Sequence, residues 1–345
     1  MPPSPFAPSS SKPGHGEVHI TLLPPATPTY STLTYTYPLK LVPSTPHKLT
    51  SIDDETPQTP KRPVNVPLLF LLSYGGGLLP PDNLSLDITL HPSTRLCITT
   101  QGSTKIFPVP DAFTTSTPPV HASQSLTARL HPHSALLLSP DPTQPFKGSR
   151  YIQKQIFQVH AGASLGVVDW VSQGRRARGE NWDNIIGYRS GNEVWRVSLA
   201  VGKEMEERRL ILRDNIILEG KSFSAKMDNV GIFGTVLLHG PLFSALAEFF
   251  LEEFRLLPRI GGRSWEDENA DAQPLSDEAM RRKERWRLER EEEALWTAAR
   301  LRGGVVLVKF GAREVEGGRK WLGAMLREEG SVAREFGEGG LMNIR

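Results

Sequence analysis

The stretch Leu84–Gly102, LSLDITLHPSTRLCITTQG, decides the fold class. In its first seven residues, apolar and polar side chains alternate with a period of two, which is typical of a β-strand that buries one face. RLCITTQG resumes the pattern after a short turn. Similar runs recur from VHITLL near the N-terminus to FGTVLLHG at 233–240, separated by Gly, Pro, Asn or Asp and with no helix between them. The sequence therefore predicts an all-β core and excludes an α/β doubly wound sheet.

Helices are predicted only in the last third of the chain. Pro241–Leu257 places apolar residues at helical spacing and begins with a proline suited to a first turn. Ser276–Leu301 mixes charges in a pattern that predicts a second helix with a solvated face. A strand over Gly303–Ala312 and a helix around Lys320–Glu328 complete the prediction.

Composition shifts divide the chain. Residues 1–15 are rich in Pro and Ser and predict a disordered tail, and residues 16–345 predict a single β-rich domain. Two segments interrupt the strand pattern, a Pro/Ser/Thr-rich one near 106–125 and a charged one near 258–300. We interpret both as insertions.

The bulk composition indicates a soluble globular protein of a reducing compartment. The 345 residues are 38% hydrophobic and 23% charged with a net charge of +2, which is too close to neutral to favour nucleic acid as a partner. The single cysteine, Cys97, excludes an internal disulfide and falls at a buried strand position, so we expect an inert thiol. No apolar run approaches the ~18 residues of a membrane span. We therefore expect a cytoplasmic protein without membrane contact.

Motifs for catalysis or tight metal binding are weak. Gly75–Gly77 lacks the Gly-Lys-Ser/Thr of a phosphate loop and predicts a tight turn instead. His131 and His133 form a pair without a third ligand, so loop or strand-edge histidines are the favoured interpretation. The chain contains neither Gly-x-Ser-x-Gly nor His-Glu-x-x-His.

An all-β carbohydrate-active hydrolase or carbohydrate-binding protein is the alternative from another class. Such an enzyme needs a pair of carboxylates in a cleft with aromatic platforms. The candidate carboxylates are Asp141, Asp169 and Glu180. The candidate platforms are Trp170, Trp182 and Trp195, and each could equally be a core or interface aromatic.

The stretch Asp169–Trp182, DWVSQGRRARGENW, combines three arginines with two acids. Its two glycines place the arginines on a turn between strands. Asp169 and Glu180 are the nearest carboxylates for bidentate ion pairs with guanidinium groups. Two interpretations stay open, an internal ion-pair cluster or a surface presented to a partner protein. The three arginines are Arg175, Arg176 and Arg178.

Ser73–Phe107 and Leu136–Trp182 together resemble the urease accessory protein UreD family, also called UreH. The motifs occur in the family's order: Gly-Gly-Gly-Leu near an Asp, Thr-Thr-Gln-Gly-x-Thr-Lys, Pro-Phe, Asp-Trp and Gly-Arg-x-x-Arg-Gly-Glu. The resemblance covers Gly16–Leu238 well and the remainder loosely. The two insertions depart from shorter bacterial members and suggest a eukaryotic, fungal or plant, version.

The resemblance implies a non-enzymatic scaffold with a β-helix or solenoid-like core of stacked sheets and a few C-terminal helices. Members of the family bind apo-urease and recruit the accessory protein UreF and the GTPase UreG, so that nickel reaches the urease active site. A water-filled tunnel through UreF and UreD has been proposed as the route. We accordingly expect no tightly bound cofactor, and transient Ni²⁺ at most.

A transient route needs ligands weak enough to release the ion, so isolated carboxylates, hydroxyls and carbonyls suit it better than a His/Cys cage. For Thr99–Gly102, a strand end and turn is an equally good interpretation. The hypothetical nickel path comprises Asp82, Thr99, Thr100, Gln101, Asp141 and Glu180. The residues assigned to partner binding or to structural ion pairs are Lys105, Asp169, Trp170, Arg175 and Arg178.

Overall fold

Two large β-sheets form the body of the molecule. The computed structural model describes residues 12–49, 63–199, 206–220, 222–257 and 276–344. The first sheet, in spatial order, consists of β15 (Glu206–Glu219), β14 (Gly187–Leu199), β12 (Arg150–Val159), β9 (Ala122–Leu130), β6 (Asn83–Leu90), β1 (His15–Leu23) and β2 (Thr27–Tyr35).

The second sheet packs against the first across the core. Its main path is β17 (Leu295–Arg300), β18 (Val306–Ala312), β16 (Ile232–His239), β13 (Ser164–Ser172), β10 (Ala135–Leu138), β7 (Arg95–Thr99), β4 (Asn65–Ser73) and β3 (Leu39–Lys48). A parallel ladder of short strands joins it through β13: β5 (Gly77–Leu78), β8 (Thr104–Ile106) and β11 (Thr143–Pro145).

Between β4 and β14 the chain passes back and forth between the two sheets. As a result, β6, β9, β12 and β14 pair in parallel in the first sheet, while β4, β7, β10 and β13 pair in parallel in the second. The register is regular, for Leu90, Leu130 and Val159 align across three strands and all are buried. Residues separated by one pass of the chain through the opposite sheet therefore lie side by side on neighbouring strands.

The mostly-β architecture with a few helices is confirmed, whereas closure into a β-helix or solenoid stays a prediction. Both sheets are open paths, and antiparallel pairs form their ends: β1 with β2 and β14 with β15 in the first, β3 with β4 and β17 with β18 in the second. Antiparallel end strands interrupt the circuit that the parallel strands follow.

The two halves of LSLDITLHPSTRLCIT lie in different sheets and are buried differently. Leu84, Leu86, Ile88 and Leu90 on β6 are buried while the residues between them are not. Every residue of β7 is buried, because the second sheet has apolar contacts on both faces. A strand covered on both faces loses the alternation and reads as a continuous run. Cys97 lies on this strand, and its burial raises the pKa of the thiol to about 12, as expected for an inert core residue.

Helices cover the outer face of the second sheet, where Phe243, Phe250, Trp321 and Phe336 are fully buried. These helices are α2 (Ser244–Arg255), α3 (Asp277–Glu291), α4 (Val315–Glu329) and α5 (Ser331–Phe336), followed by a 3₁₀ segment, Glu338–Ile344. A short helix, α1 (Phe223–Met227), packs instead against the core between the sheets. No helix in the described ranges is long and apolar enough to cross a membrane.

The helix predictions need three corrections. The helix over Pro241–Leu257 is confirmed as a 3₁₀ turn followed by α2. The helix predicted over Ser276–Leu301 is wrong beyond Glu291, because the chain reverses at Glu293 and its apolar end pairs with β18 as strand β17. The expectation that no helix separates the strands is also wrong, since α1 lies between β15 and β16, and α5 was not predicted.

The predicted domain boundaries stay predictions. The tail's residues 1–11 and residues 258–275 of the second insertion lie outside the described residues. Within the first insertion, Asp111–Phe113 forms an exposed 3₁₀ turn, and the chain rejoins the first sheet at Ala122. The predicted tight turn at Gly75–Gly77 is confirmed, with positive φ at Gly75 and Gly76.

Candidate functional site

A row of polar side chains crosses the otherwise apolar space between the two sheets; we call it the polar row. Strand register builds it, since Gln153 aligns with Ser190 and Gln155 with Asn192 on the first sheet. Facing them on the second sheet, Asp169 aligns with Thr235 and Thr235 with Lys309. Asp214 on β15 is the cross-strand partner of Asn192. The members are Gln153, Gln155, Asp169, Ser190, Asn192, Asp214, Thr235 and Lys309.

Asp169 is the centre of the polar row. It is 3% exposed, and its carboxylate accepts hydrogen bonds from Gln153 Nε2 (3.0 Å), Ser190 Oγ (2.7 Å) and Asn192 Nδ2 (2.7 Å). Burial raises the pKa of Asp169, and the charge of Asp214 adds to that rise, although the hydrogen bonds oppose it. The predicted ion pair of Asp169 with the arginines is wrong, because the side chain points between the sheets while the arginines follow on a turn.

A small cavity beside Asp169 shares part of its lining with a second cavity nearer the surface. The inner cavity has a volume of about 30 Å³ and the outer one about 50 Å³, and both are lined by Leu71, Thr100, Thr104 and Gln124. Each has room for water but not for a sugar ring. The outer cavity ends at a loop surface that we call the entrance, formed by Ser73, Gly76, Gln101, Gly102 and Ser103.

Asp141 holds the inner side of the entrance. Its backbone N–H donates to Thr100 Oγ1 (2.8 Å), and its carboxylate accepts from the Gly102 N–H (2.9 Å). The guanidinium of Arg319, on α4, makes an ion pair with the same carboxylate, which is 5% exposed. Two loops that are distant in sequence are thereby tied to each other and to a helix.

The C-terminal segment supports the same loops from outside. Asn343 Nδ2 donates to Thr99 Oγ1 (2.6 Å) and to the Thr100 carbonyl (3.1 Å). Thr99 Oγ1 in turn donates to the Ser139 carbonyl (2.9 Å). Thr99 is therefore a buried structural anchor at the end of β7, and the interpretation of this stretch as a strand end and turn is confirmed.

The residues predicted for the nickel path fall in three places. Thr100, Gln101 and Asp141 line the two cavities, and Thr99 lies just behind them. Asp82 stabilises a turn by accepting a hydrogen bond from the Leu79 N–H (2.9 Å), away from the cavity linings. Glu180 lines a separate pocket of about 250 Å³. The assignment of a path to these residues stays a prediction, and the geometry brings only the first group together.

Glu180 forms the ion pair that the sequence suggested, with Arg175. The Arg175 backbone N–H and Nε each donate to the Glu180 carboxylate at 3.0 Å, and the guanidinium lies 4.0 Å from the Phe146 ring centroid. Burial would raise the pKa of Glu180, but the hydrogen bonds and charge of Arg175 hold it below the ordinary value. Arg176 pairs at the surface with Glu314 (3.2 Å).

Two residues assigned to ion pairs lie exposed. Arg178 makes no side-chain ion pair in the part of the chain that the structure describes. Lys105 projects from β8 and likewise makes no ion pair with a described residue. An internal cluster of all three arginines is therefore wrong. Arg175 alone is internal, and Arg178 is free to contact another molecule.

The features expected of a carbohydrate site are not assembled. Trp170 and Trp182 are buried, and their indole N–H groups donate to the carbonyls of Pro140 (2.8 Å) and Val230 (2.6 Å), so the interpretation of both as core aromatics is confirmed. Trp195 is half-buried and bonds to Glu193 (3.0 Å). Asp141 and Asp169 share a cavity too small for a sugar, and Glu180 lines a different pocket.

Metal ligands do not converge among the described residues, where no group of three or more His, Cys, Asp or Glu could hold an ion. His131 stacks between His91 (5.6 Å between ring centroids) and His160 (5.0 Å) at the strand ends. His133 packs instead against Gly162. His131 directly follows β9 and His133 lies in the turn before β10, so the interpretation as loop or strand-edge histidines is confirmed.

Sequence reasoning missed most of the polar row and both supports of the entrance. One signal was available: in Tyr151–Phe157, YIQKQIF, the inward positions of the alternation are Tyr, Gln, Gln and Phe, so two glutamines occupy core positions. No local signal marks Asp214, Lys309, Arg319 or Asn343, because their partners are distant in sequence.

Fold and site together define a mostly-β protein with two small cavities between its sheets, which we call the passage. The family model described as UreD urease accessory protein matches residues 29–336. The chain belongs to this family, and the resemblance inferred from its motifs is confirmed.

Two fungal proteins match along most of their length. The chain is 31% identical to urease accessory protein 4 of Cryptococcus neoformans var. grubii, over 94% of this chain and 93% of that protein. It is 28% identical to a Schizosaccharomyces pombe protein named as an uncharacterized urease accessory protein ureD-like, over 83% and 84%. With urease accessory protein D of Arabidopsis thaliana it shares 31% identity over 50% of this chain and 54% of that protein.

Proposed function

We propose that this chain is a non-enzymatic scaffold for urease maturation in the cytoplasm, which binds apo-urease, a UreF-like protein and a UreG-like GTPase and assists nickel delivery. Membership of the UreD family supports the role in maturation. The observation that carries the proposal for nickel is the passage from the entrance to Asp169, because it offers oxygen ligands in an interior that is otherwise apolar.

The passage suits an ion that must not stay. Its walls contribute the hydroxyls of Thr100 and Thr104 and the amides of Gln124 and Gln153. Two carboxylates line the inner cavity, Asp141, which is paired with Arg319, and Asp169, which is bonded by neutral groups. Neutral oxygens bind Ni²⁺ weakly, so they can replace part of its water shell and still release it. Cavities of this size require the ion to shed some of that water. The proposed cargo is transient Ni²⁺, and no cofactor is bound tightly.

Association is the first test. The tagged chain is expressed with urease, the UreF-like protein and the UreG-like protein, and the bound fraction is measured after affinity purification. We expect all three to be retained together. Failure to retain urease under any combination of the accessory proteins would overturn the scaffold role.

The second test separates the passage from assembly. Asp169→Asn keeps the size of the side chain and removes its charge, so we expect intact co-purification but at least a tenfold loss of nickel-dependent urease activation. Asp87→Asn is the matched control, because Asp87 lies exposed on the outer side of β6. Full activation by Asp169→Asn would remove the passage from the proposal while leaving the scaffold role intact.

A further inference from the structure

Lys309 occupies the partly exposed end of the polar row, where three oxygens converge on its ammonium. Its Nζ lies 2.6 Å from each carboxylate oxygen of Asp214 and 2.7 Å from Thr235 Oγ1. Thr235 Oγ1 also donates to Asp214 Oδ2 (3.3 Å). The side chains of Asp214 and Lys309 are 11% and 25% exposed, so the contact is largely shielded from water. An ammonium held by three oxygens is in the position that a metal cation would take.

A second carboxylate and an unused acceptor lie beside this contact. Asp169 is the cross-strand partner of Thr235, and the charge of Asp214 acts on it directly. Asn192 is the cross-strand partner of Asp214 and donates its Nδ2 to Asp169. The Oδ1 of the same amide is buried and has no hydrogen-bond partner within the described ranges. Buried acceptors of this kind are normally satisfied by a protein group, water or an ion.

We propose that the Lys309 ammonium fills a latent divalent-cation site formed by the Asp214 carboxylate and the Thr235 hydroxyl, with Asp169 and Asn192 as neighbouring oxygen donors. Carboxylate, hydroxyl and amide oxygens suit divalent cations that prefer oxygen ligands, and Ni²⁺, a cation of borderline hardness, also accepts them. The ammonium is a compact charge on a flexible stem, so it can take the place of a metal cation among these oxygens.

The Lys309 ammonium supplies the positive charge that a bound ion would otherwise supply beside the neighbouring carboxylates Asp214 and Asp169. A lysine that balances Asp214 keeps this end of the row closed to a free cation, since a divalent ion and the ammonium repel each other at low dielectric. Partial exposure lets the lysine swing toward solvent, which frees the oxygens without breaking the sheet. The choice of Ni²⁺ as the physiological ion rests on the proposed function, whereas the site itself is testable on the isolated chain.

Equilibrium dialysis of the purified full chain against NiCl₂ tests the proposal. Lys309→Met removes the ammonium and keeps the length of the stem, so we expect one additional equivalent of Ni²⁺, bound at least tenfold more tightly than by the wild type. The double variant Lys309→Met/Asp214→Asn is expected to lose that equivalent. Lys283→Met removes an exposed lysine of α3, outside the row, and is expected to bind as the wild type does.

Two results would overturn the proposal: Lys309→Met binding no more Ni²⁺ than the wild type, or the double variant retaining the gain. Thermal unfolding covers the case in which Lys309→Met folds poorly. Ni²⁺ should then raise the Tm of Lys309→Met and not that of the double variant, and a variant that Ni²⁺ fails to stabilise counts against the site. Because urease is not a component of these measurements, loss of urease binding would remove the proposed function without affecting this result.

Discussion

Asp169 and Glu180 begin and nearly end the same short stretch of sequence, yet the fold treats the two carboxylates in opposite ways. Asp169, on β13, faces the space between the sheets and is bonded by neutral amides and a hydroxyl. Glu180, on the following turn, is bonded by the guanidinium and backbone N–H of Arg175. The first has a raised pKa and the second a lowered pKa.

The difference teaches what surroundings do to one chemical group. Neutral donors stabilise a buried carboxylate only in part, so its charge remains available to a passing cation. A guanidinium neutralises the charge and fixes the side chain, which suits a structural corner. The strand interior and the turn therefore separate a candidate transport group from a structural one, although both are acids of the same stretch.

Truncating the interior carboxylate should have the largest effect on stability. Asp169→Ala leaves the donors of Gln153, Ser190 and Asn192 buried without an acceptor, and we expect a loss of about 3 kcal/mol in the free energy of unfolding. Urea denaturation followed by circular dichroism measures it. A loss below about 1 kcal/mol would mean that water enters and satisfies these donors.

Truncating the turn carboxylate should cost less. Glu180→Ala removes the partner of Arg175, but that guanidinium is 32% exposed and can regain water. We expect a loss of about 1–2 kcal/mol in the same urea experiment. Equal losses for Glu180→Ala and Asp169→Ala would show that the exposure of the partner group does not determine the cost of losing the carboxylate.

The two acids should also give opposite pH dependences. Because the folded pKa of Asp169 lies above its unfolded value, its ionisation costs stability, and this cost appears as pH rises from the unfolded pKa through the folded one. For Glu180 the folded pKa is lower, so its contribution is present above the unfolded pKa and is lost as pH falls through the folded one.

Urea midpoints across the pH range measure both contributions. Asp169→Asn is expected to remove the decline of stability with rising pH that the wild-type residue causes. Glu180→Gln is expected to weaken the loss of stability in acid. If a variant shifts the stability curve by the same amount at every pH, the residue contributes no pH dependence, which contradicts its assigned pKa shift.

The alternation in Leu84–Leu90 was enough to predict a β core, and the motifs from Ser73 to Trp182 were enough to predict the family. Neither indicates which strands pair. The polar row depends on pairing, since Asp214 and Lys309 meet from strands of different sheets, and Asp141 meets Arg319 on a helix late in the chain. The strand at Leu295–Arg300 was missed for a related reason. Its helical charge pattern ends at Glu291, and pairing with β18 then prevails over local preference.

The smallest expected effect on stability is at Arg178. This residue tests whether the exposed part of the turn contributes to partner binding rather than to stability. This arginine is exposed on the turn that Arg175 and Glu180 anchor, and Arg178→Ala should change the free energy of unfolding by less than about 0.5 kcal/mol. If the turn is a contact for urease or an accessory protein, the same variant should still reduce co-purification, because arginine is enriched among residues that carry binding energy. Lys154→Ala is a control of the same charge at an exposed position on β12. Unchanged retention of every partner by Arg178→Ala would leave the turn with a purely structural role.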